Sequence, residues 1–182
     1  MGEEKEVKAV TALDEQELAF YENVFRGMLC ADSQEYIEND SVEHAAILVK
    51  CLIESARESV KIFCKALSSD VWGRPEIVHA VEDALANKVT FQVSVMEALQ
   101  KNGTSQLLLE DSSSEIRMFP YQDVCANFLL VDDKAFRFEP NCEERKGFAV
   151  AKADENANVL KNTFARVWDL SKPIQRNLPN AQ

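Results

Sequence analysis

The residues best able to do chemistry lie between Cys125 and Glu139. Cys125 is followed at the second position by an amide, Asn127. Then come an apolar run, Phe128-Leu129-Leu130-Val131, the carboxylate pair Asp132-Asp133, Lys134, and the alternating Arg137 and Glu139. A thiolate is nucleophilic when its pKa is lowered, and paired carboxylates can move protons or hold a divalent cation. Each feature also has a plainer reading. No histidine stands near Cys125 in sequence and the local charge is negative, so an inert buried thiol is the commoner outcome. Carboxylates at a tight link between strands more often cap the turn. In a regular strand Arg137 and Glu139 face away from Phe136 and Phe138, where they either line a cleft or pair on an exposed surface.

The remaining candidates are few. Five cysteines, Cys30, Cys51, Cys64, Cys125 and Cys142, are odd in number and lack C-x-x-C spacing, which argues against a disulfide framework and a structural zinc site. With only two histidines, His44 and His79, one chain cannot build a multi-histidine metal centre, and no metal or cofactor is expected. Both fall on predicted helices far from Cys125. Trp72 reads as turn packing and Trp168 as core.

The elements that must position these residues follow from periodicity. Asp14, with Glu17 at capping-box spacing, opens a helix to Cys30 with Leu18, Tyr21, Val24, Phe25, Met28 and Leu29 at helical intervals. Residues 31–40 read as an acidic connection. Ser41 caps a second helix with a broad apolar face from Val42 to Ala56. Strands are predicted over 59–67, 88–96, 115–119, 127–131, 135–138 and 147–151. Pro75 starts a helix, residues 97–109 form another, and 156–170 close the chain as a helix with Val159, Leu160, Phe164, Val167 and Trp168 inward. This order predicts an α/β fold, a central mixed sheet covered by helices on both faces.

Composition narrows the class. A chain of 182 residues with 46% hydrophobic content supports one domain with a sizeable core. Twenty Lys+Arg against 31 Asp+Glu give a formal charge of -11 with no basic run, which repels phosphate backbones at long range and makes nucleic acid an unfavoured partner. The apolar stretch from His44 is broken by Lys50 too early for a membrane span. Free thiols in this setting suit a reducing, cytoplasmic compartment.

The segment Cys125-Ala126-Asn127-Phe128-Leu129-Leu130-Val131-Asp132-Asp133-Lys134 resembles the phospholipase D-like motif H-x-K-x4-D, which continues as an apolar run into V-D-D or V-D-G and then Lys or Arg. On that frame Cys125 takes the histidine position, Asn127 the lysine position and Asp132 the aspartate position. The resemblance extends over residues 41–174 in the order of elements, through SVKIFCKAL, VWGRPEIVHAVEDALANKVTFQVSV and the closing VWDLSKPI. It implies a phospholipase D-like mixed sheet flanked by helices, preceded by an N-terminal helical extension. The organisation is then a mobile lead at 1–13, the extension at 14–40, the domain at 41–174 and a tail at 175–182.

Active members of that family attack phosphorus with one imidazole, protonate the leaving group with a second and hold the phosphoryl oxygens with lysines. Single-motif members dimerise to pair their motifs, so a homodimer is implied. The replacements at Cys125 and Asn127 remove the imidazole and the fixed cation, an electrostatic contribution of ~3 kcal/mol or more for one well-placed donor. The resemblance therefore implies a non-catalytic interaction or regulatory module with an unidentified protein partner. Lys134, Arg137 and Glu139 are candidates for a remnant cleft. Two alternatives stay open: a phosphodiesterase or nuclease using Cys125, Asp132, Arg137 and Glu139, and an acidic inhibitor that imitates nucleic acid.

Overall fold

The computed structural model describes residues 3–144 and 146–174, with side chains from Glu15 onward. The elements run α1 (Glu3–Cys30), β1 (Tyr36–Asn39), α2 (Val42–Ser55), β2 (Ser59–Cys64), α3 (Pro75–Ala86), β3 (Thr90–Val95), α4 (Gly103–Glu110), β4 (Glu115–Met118), β5 (Asn127–Val131), β6 (Ala135–Asn141), β7 (Lys146–Val150), α5 (Asp154–Leu170) and β8 (Lys172–Pro173). The strands form one eight-stranded sheet in the order β1-β7-β6-β5-β2-β3-β4-β8. β2, β3 and β4 are parallel, and the pairings of β2 with β5, β5 with β6, β6 with β7, β7 with β1 and β4 with β8 are antiparallel.

Side-chain alternation along the strands divides the core into two layers. Val60, Ile62, Leu129 and Val131 face a cluster that includes Leu48, Leu52, Ile53, Ile77, Val81 and Leu108 from α2, α3 and α4. Phe25 of α1 joins that cluster and is fully buried. Phe63, Phe128, Leu130 and Phe136 face α5, meeting Ala157, Leu160, Phe164 and Val167. Helices therefore cover both faces, as the element order predicts, and among the described residues the second face is covered by α5.

Local chemistry sets the ends of these elements. The Ser41 hydroxyl accepts from His44 N–H at 3.1 Å and caps α2. Asp132 and Asp133 both adopt left-handed backbone, φ 50° and 54°, and Lys134 N–H donates to Val131 O at 3.0 Å, which makes the β5–β6 link a tight hairpin turn. Asp133 also receives the ammoniums of Lys61 and Lys161, the latter at 2.7 Å. Burial opposes its ionisation, but hydrogen bonds from Lys161 and Lys61 outweigh this and hold the carboxyl below its usual range.

A carboxyl depressed on folding contributes stability above its unfolded pKa and loses it as pH falls through the folded value. Urea titrations of the wild type between about pH 5 and pH 2 are expected to show that loss, roughly 1 kcal/mol. Asp133→Asn is expected to flatten that part of the curve; an identical acid limb in the variant would remove Asp133 as its source.

Four expectations are corrected. Within 31–40, residues 36–39 are a strand, because β7 offers an antiparallel edge to Tyr36–Asn39. Residues 97–102 are not helical: Asn102 caps α4 by accepting from Ser105 N–H at 3.0 Å, so the helix starts at Gly103. Val159 lies on the outer side of α5, 62% exposed. The first helix starts at Glu3, running through Asp14, so the expected lead from residue 3 onward is helical backbone; residues 1–2 and the tail from 175 lie outside the described residues.

Candidate functional site

β2 and β3 are parallel neighbours, whereas β2 meets β5 antiparallel, so a crevice opens where the chain leaves the carboxyl ends of β2 and β3. Open α/β sheets bind ligands at such a switch point. A cavity of about 380 Å³ occupies it here. Its apolar wall comes from α2 and the sheet, with Val49, Ile62 and Leu129 among the residues lining it, and Trp72 closes one side. Lys65, Asp70, Glu97, Asn127, Arg137, Glu139 and Glu143 are among its polar lining residues, and Cys142 lines it as well.

The register of the β5–β6 hairpin explains how these residues meet. Asn127 pairs with Glu139 and Leu129 with Arg137, so all four project to the α2 face. Arg137 and Glu139 are each 7% exposed. Arg137 Nη2 lies 2.9 Å from Glu139 Oε2, and Arg137 Nε donates to Asn39 Oδ1 at 3.0 Å. The guanidinium is thus already engaged by a carboxylate and an amide. Asn127 Oδ1 accepts from Lys65 N–H at 2.8 Å, which pins the β2 exit to the start of β5.

Cys125 is bonded to Cys142, their Cα atoms 5.3 Å apart. This corrects the expectation that no disulfide is present. The remaining cysteines, Cys30, Cys51 and Cys64, are free. Cys64 lies in the lining; burial, reinforced by the charge of Glu139, pushes its thiol far up and keeps it protonated.

Asp132 sits at the other end of β5, away from the cavity. Its carboxylate accepts from Arg57 N–H at 2.8 Å and from Glu58 and Ser59 N–H at 2.9 Å each, clamping the α2–β2 connection to the hairpin turn. Lys134 is at that end too, its Nζ 2.8 Å from Asp32 Oδ1. The structure brings together Asn127, Arg137 and Glu139, with Cys125 tethered beside them, and leaves Asp132 and Lys134 outside the cleft. His44 stacks on Tyr21 at 4.1 Å between ring centroids, and His79 is solvent-facing beside Glu82 and Asp83. Among the described residues no group of three or more His, Cys, Asp or Glu side chains is arranged for a metal ion, and no helix is long and apolar enough to cross a membrane.

Sequence reasoning missed Cys142, Cys64, Lys65 and Asn39. The turn at Asp132-Asp133 carried a signal for the first: continuing the pairing of Asn127 with Glu139 outward by two residues sets Cys125 opposite Asn141, next to Cys142. Asn39 could not be found that way, since it comes from the unexpected strand β1.

Comparisons with known proteins agree with this architecture. A profile described as "Domain of unknown function (DUF7931)" matches residues 40–177. A search of curated proteins finds no match. Among solved structures, the chain is similar to Nuc, a phospholipase D family member from Salmonella typhimurium, with TM-score 0.56 and 17% identity over 78% of this chain and 99% of that one. It is similar to NucT from Helicobacter pylori, with TM-score 0.59 and 14% identity over 77% of this chain and 100% of that one. Similarity to TrmBL2, an archaeal chromatin protein described with a novel mode of DNA binding, has TM-score 0.54 and 14% identity, covering 94% of this chain and 65% of that one. The fold is phospholipase D-like.

Proposed function

The chain belongs to the DUF7931 family, and from its phospholipase D-like fold we propose a non-catalytic interaction or regulatory module that works as a homodimer. The observation that carries this reading is the state of the three motif positions. The thiol at 125 is consumed in a disulfide, the amide at 127 is committed to Lys65 N–H, and the carboxylate at 132 holds backbone at the far end of the strand. The buried cation of the cleft, Arg137, is matched by Glu139. A phosphoryl group entering would have to displace a carboxylate already bound there, which costs several kcal/mol in a low-dielectric site.

The contact element in this reading is α1, the N-terminal extension. Its inner side is anchored by Phe25, with Tyr21, Met28 and Leu29 packed behind it, whereas Phe20 is 71% and Val24 38% exposed one turn apart. Neighbouring apolar side chains on one helix face suit burial against a partner. Phe20→Glu/Val24→Glu leaves the anchored side intact and is a cleaner test than deletion of residues 1–40, which would also remove β1. Light scattering after size exclusion is expected to give a dimer for the wild type and a monomer for the variant. Equal masses for the two proteins would exclude α1 as the contact.

The similarity to TrmBL2 counts against setting nucleic acid aside, since it extends over 94% of the chain. A net charge of -11 opposes backbone binding. A mobility-shift titration with duplex DNA at low salt therefore separates the readings: no shift is expected of the interaction module, and a shift that weakens steeply with salt would favour DNA binding.

A further inference from the structure

We propose that the Cys125–Cys142 disulfide is a redox-reversible latch on the mouth of the cleft, opened by thiol–disulfide exchange and closed by oxidation. The proposal rests on the reading of this cleft as the functional site and adds its regulation. Three observations carry it. The bond joins two segments without regular structure: residues 119–126, between β4 and β5, and the turn at 142–144, between β6 and β7. Both cysteines are partly exposed, and Cys142 itself lines the cavity, so a small thiol reaches the bond from solvent and its rupture frees one wall of the mouth.

The third observation is that the released thiol has a place to go. Asn141 Oδ1 stands 3.4 Å from Cys125 Sγ, within reach of a sulfur-borne proton. Cys142 N–H donates to Cys125 O at 3.3 Å, so among the described residues the bond is backed by one long backbone contact and not by a strand ladder. Without the covalent link, residues 119–126 are tied to the sheet at their start, where Phe119 N–H donates to Val95 O at 2.7 Å and the Phe119 ring meets Phe63 edge-on at 5.4 Å.

The chemistry balances with a monothiol of the glutathione class as reductant. Its thiolate attacks one sulfur, forming a mixed disulfide and expelling the other cysteine as a thiolate. A second monothiol resolves the mixed disulfide, leaving two protein thiols and one small-molecule disulfide. Two electrons pass to the protein, and closure is the reverse with the small disulfide as oxidant. Cys64 takes no part in exchange: it is 5% exposed and its burial keeps it a thiol.

That same burial makes Cys64 a reporter of the mouth. The full chain is treated with iodoacetamide before and after reduction by millimolar glutathione, and each cysteine is followed by peptide mass spectrometry. Reduction is expected to expose Cys125 and Cys142 to labelling and to accelerate labelling of Cys64 at least tenfold. Cys51, buried in α2 outside the cleft lining, is expected to stay protected. Cys125→Ser/Cys142→Ser is expected to label Cys64 at the fast rate with or without glutathione. An unchanged rate at Cys64, resistance of the bond to glutathione, or equal acceleration at Cys51, which would signal unfolding, each overturns the latch. Phosphodiester turnover is measured separately in both states, so failure of the non-catalytic reading shows there and failure of the latch shows at Cys64.

Discussion

Arg137→Met is expected to cost about 3–5 kcal/mol of folding stability, because it leaves the Glu139 carboxylate buried without its counter-charge. Both side chains are 9% exposed, so water cannot replace the guanidinium, and Asn39 loses the donor at 3.0 Å as well. In a domain of this size the midpoint of thermal unfolding should fall by on the order of 10 °C. Arg137→Met/Glu139→Leu removes both charges and is expected to recover most of the loss, since two apolar side chains of similar volume need no desolvated partner. Urea denaturation of the two variants reads the difference. If the double variant is as unstable as the single one, the cost lies in packing and not in the orphaned charge.

Asp132→Ala has the second-largest expected effect, about 3 kcal/mol, from losing charge-assisted acceptors for three backbone N–H groups. Its left-handed backbone, φ 50°, adds to the penalty, because alanine tolerates that region poorly. Asp132→Asn keeps the turn and part of the acceptor capacity and should lose less than half as much. Hydrogen exchange should place the damage at Arg57, Glu58 and Ser59. Were protection of these amides unchanged in Asp132→Ala, the clamp would not be what the aspartate contributes. The aspartate at the end of β5 thus serves the architecture, while Cys125 and Asn127 lie at the cleft.

How far the sequence reached can be followed along β5. The apolar run 128–131 and the Asp132-Asp133 turn made the hairpin legible, and with it the common face of Asn127, Arg137 and Glu139, because alternation and turn chemistry are local. The helices with strong apolar stripes, α2, α3 and α5, are legible for the same reason, α2 helped by its Ser41 cap and α3 by Pro75 at its start. Strand β1 was not: Tyr36–Asn39 is acidic and half-exposed, and only the edge of β7, more than a hundred residues away, makes it a strand. Reading residues 97–102 as helix failed because their neighbours in the fold, and not their periodicity, hold them: Gln100 accepts from Ser69 N–H and Asn102 donates to Leu67 O, each at 2.8 Å. The disulfide is not legible from an odd cysteine count, because it is the hairpin register that brings Cys125 and Cys142 together. Lys134 is close in sequence to Arg137, yet it stands in the hairpin turn before β6, where its ammonium pairs with Asp32 and not with the cleft.

Under the proposed function this cleft does no phosphodiester chemistry. The most direct measurement is hydrolysis of bis(p-nitrophenyl) phosphate by the purified chain at high protein concentration, oxidised and reduced, beside Cys125→Ser. Release of p-nitrophenolate is expected at the buffer rate in all three samples. Steady release by the wild type that disappears in Cys125→Ser would contradict it, and would make Cys125 a nucleophile.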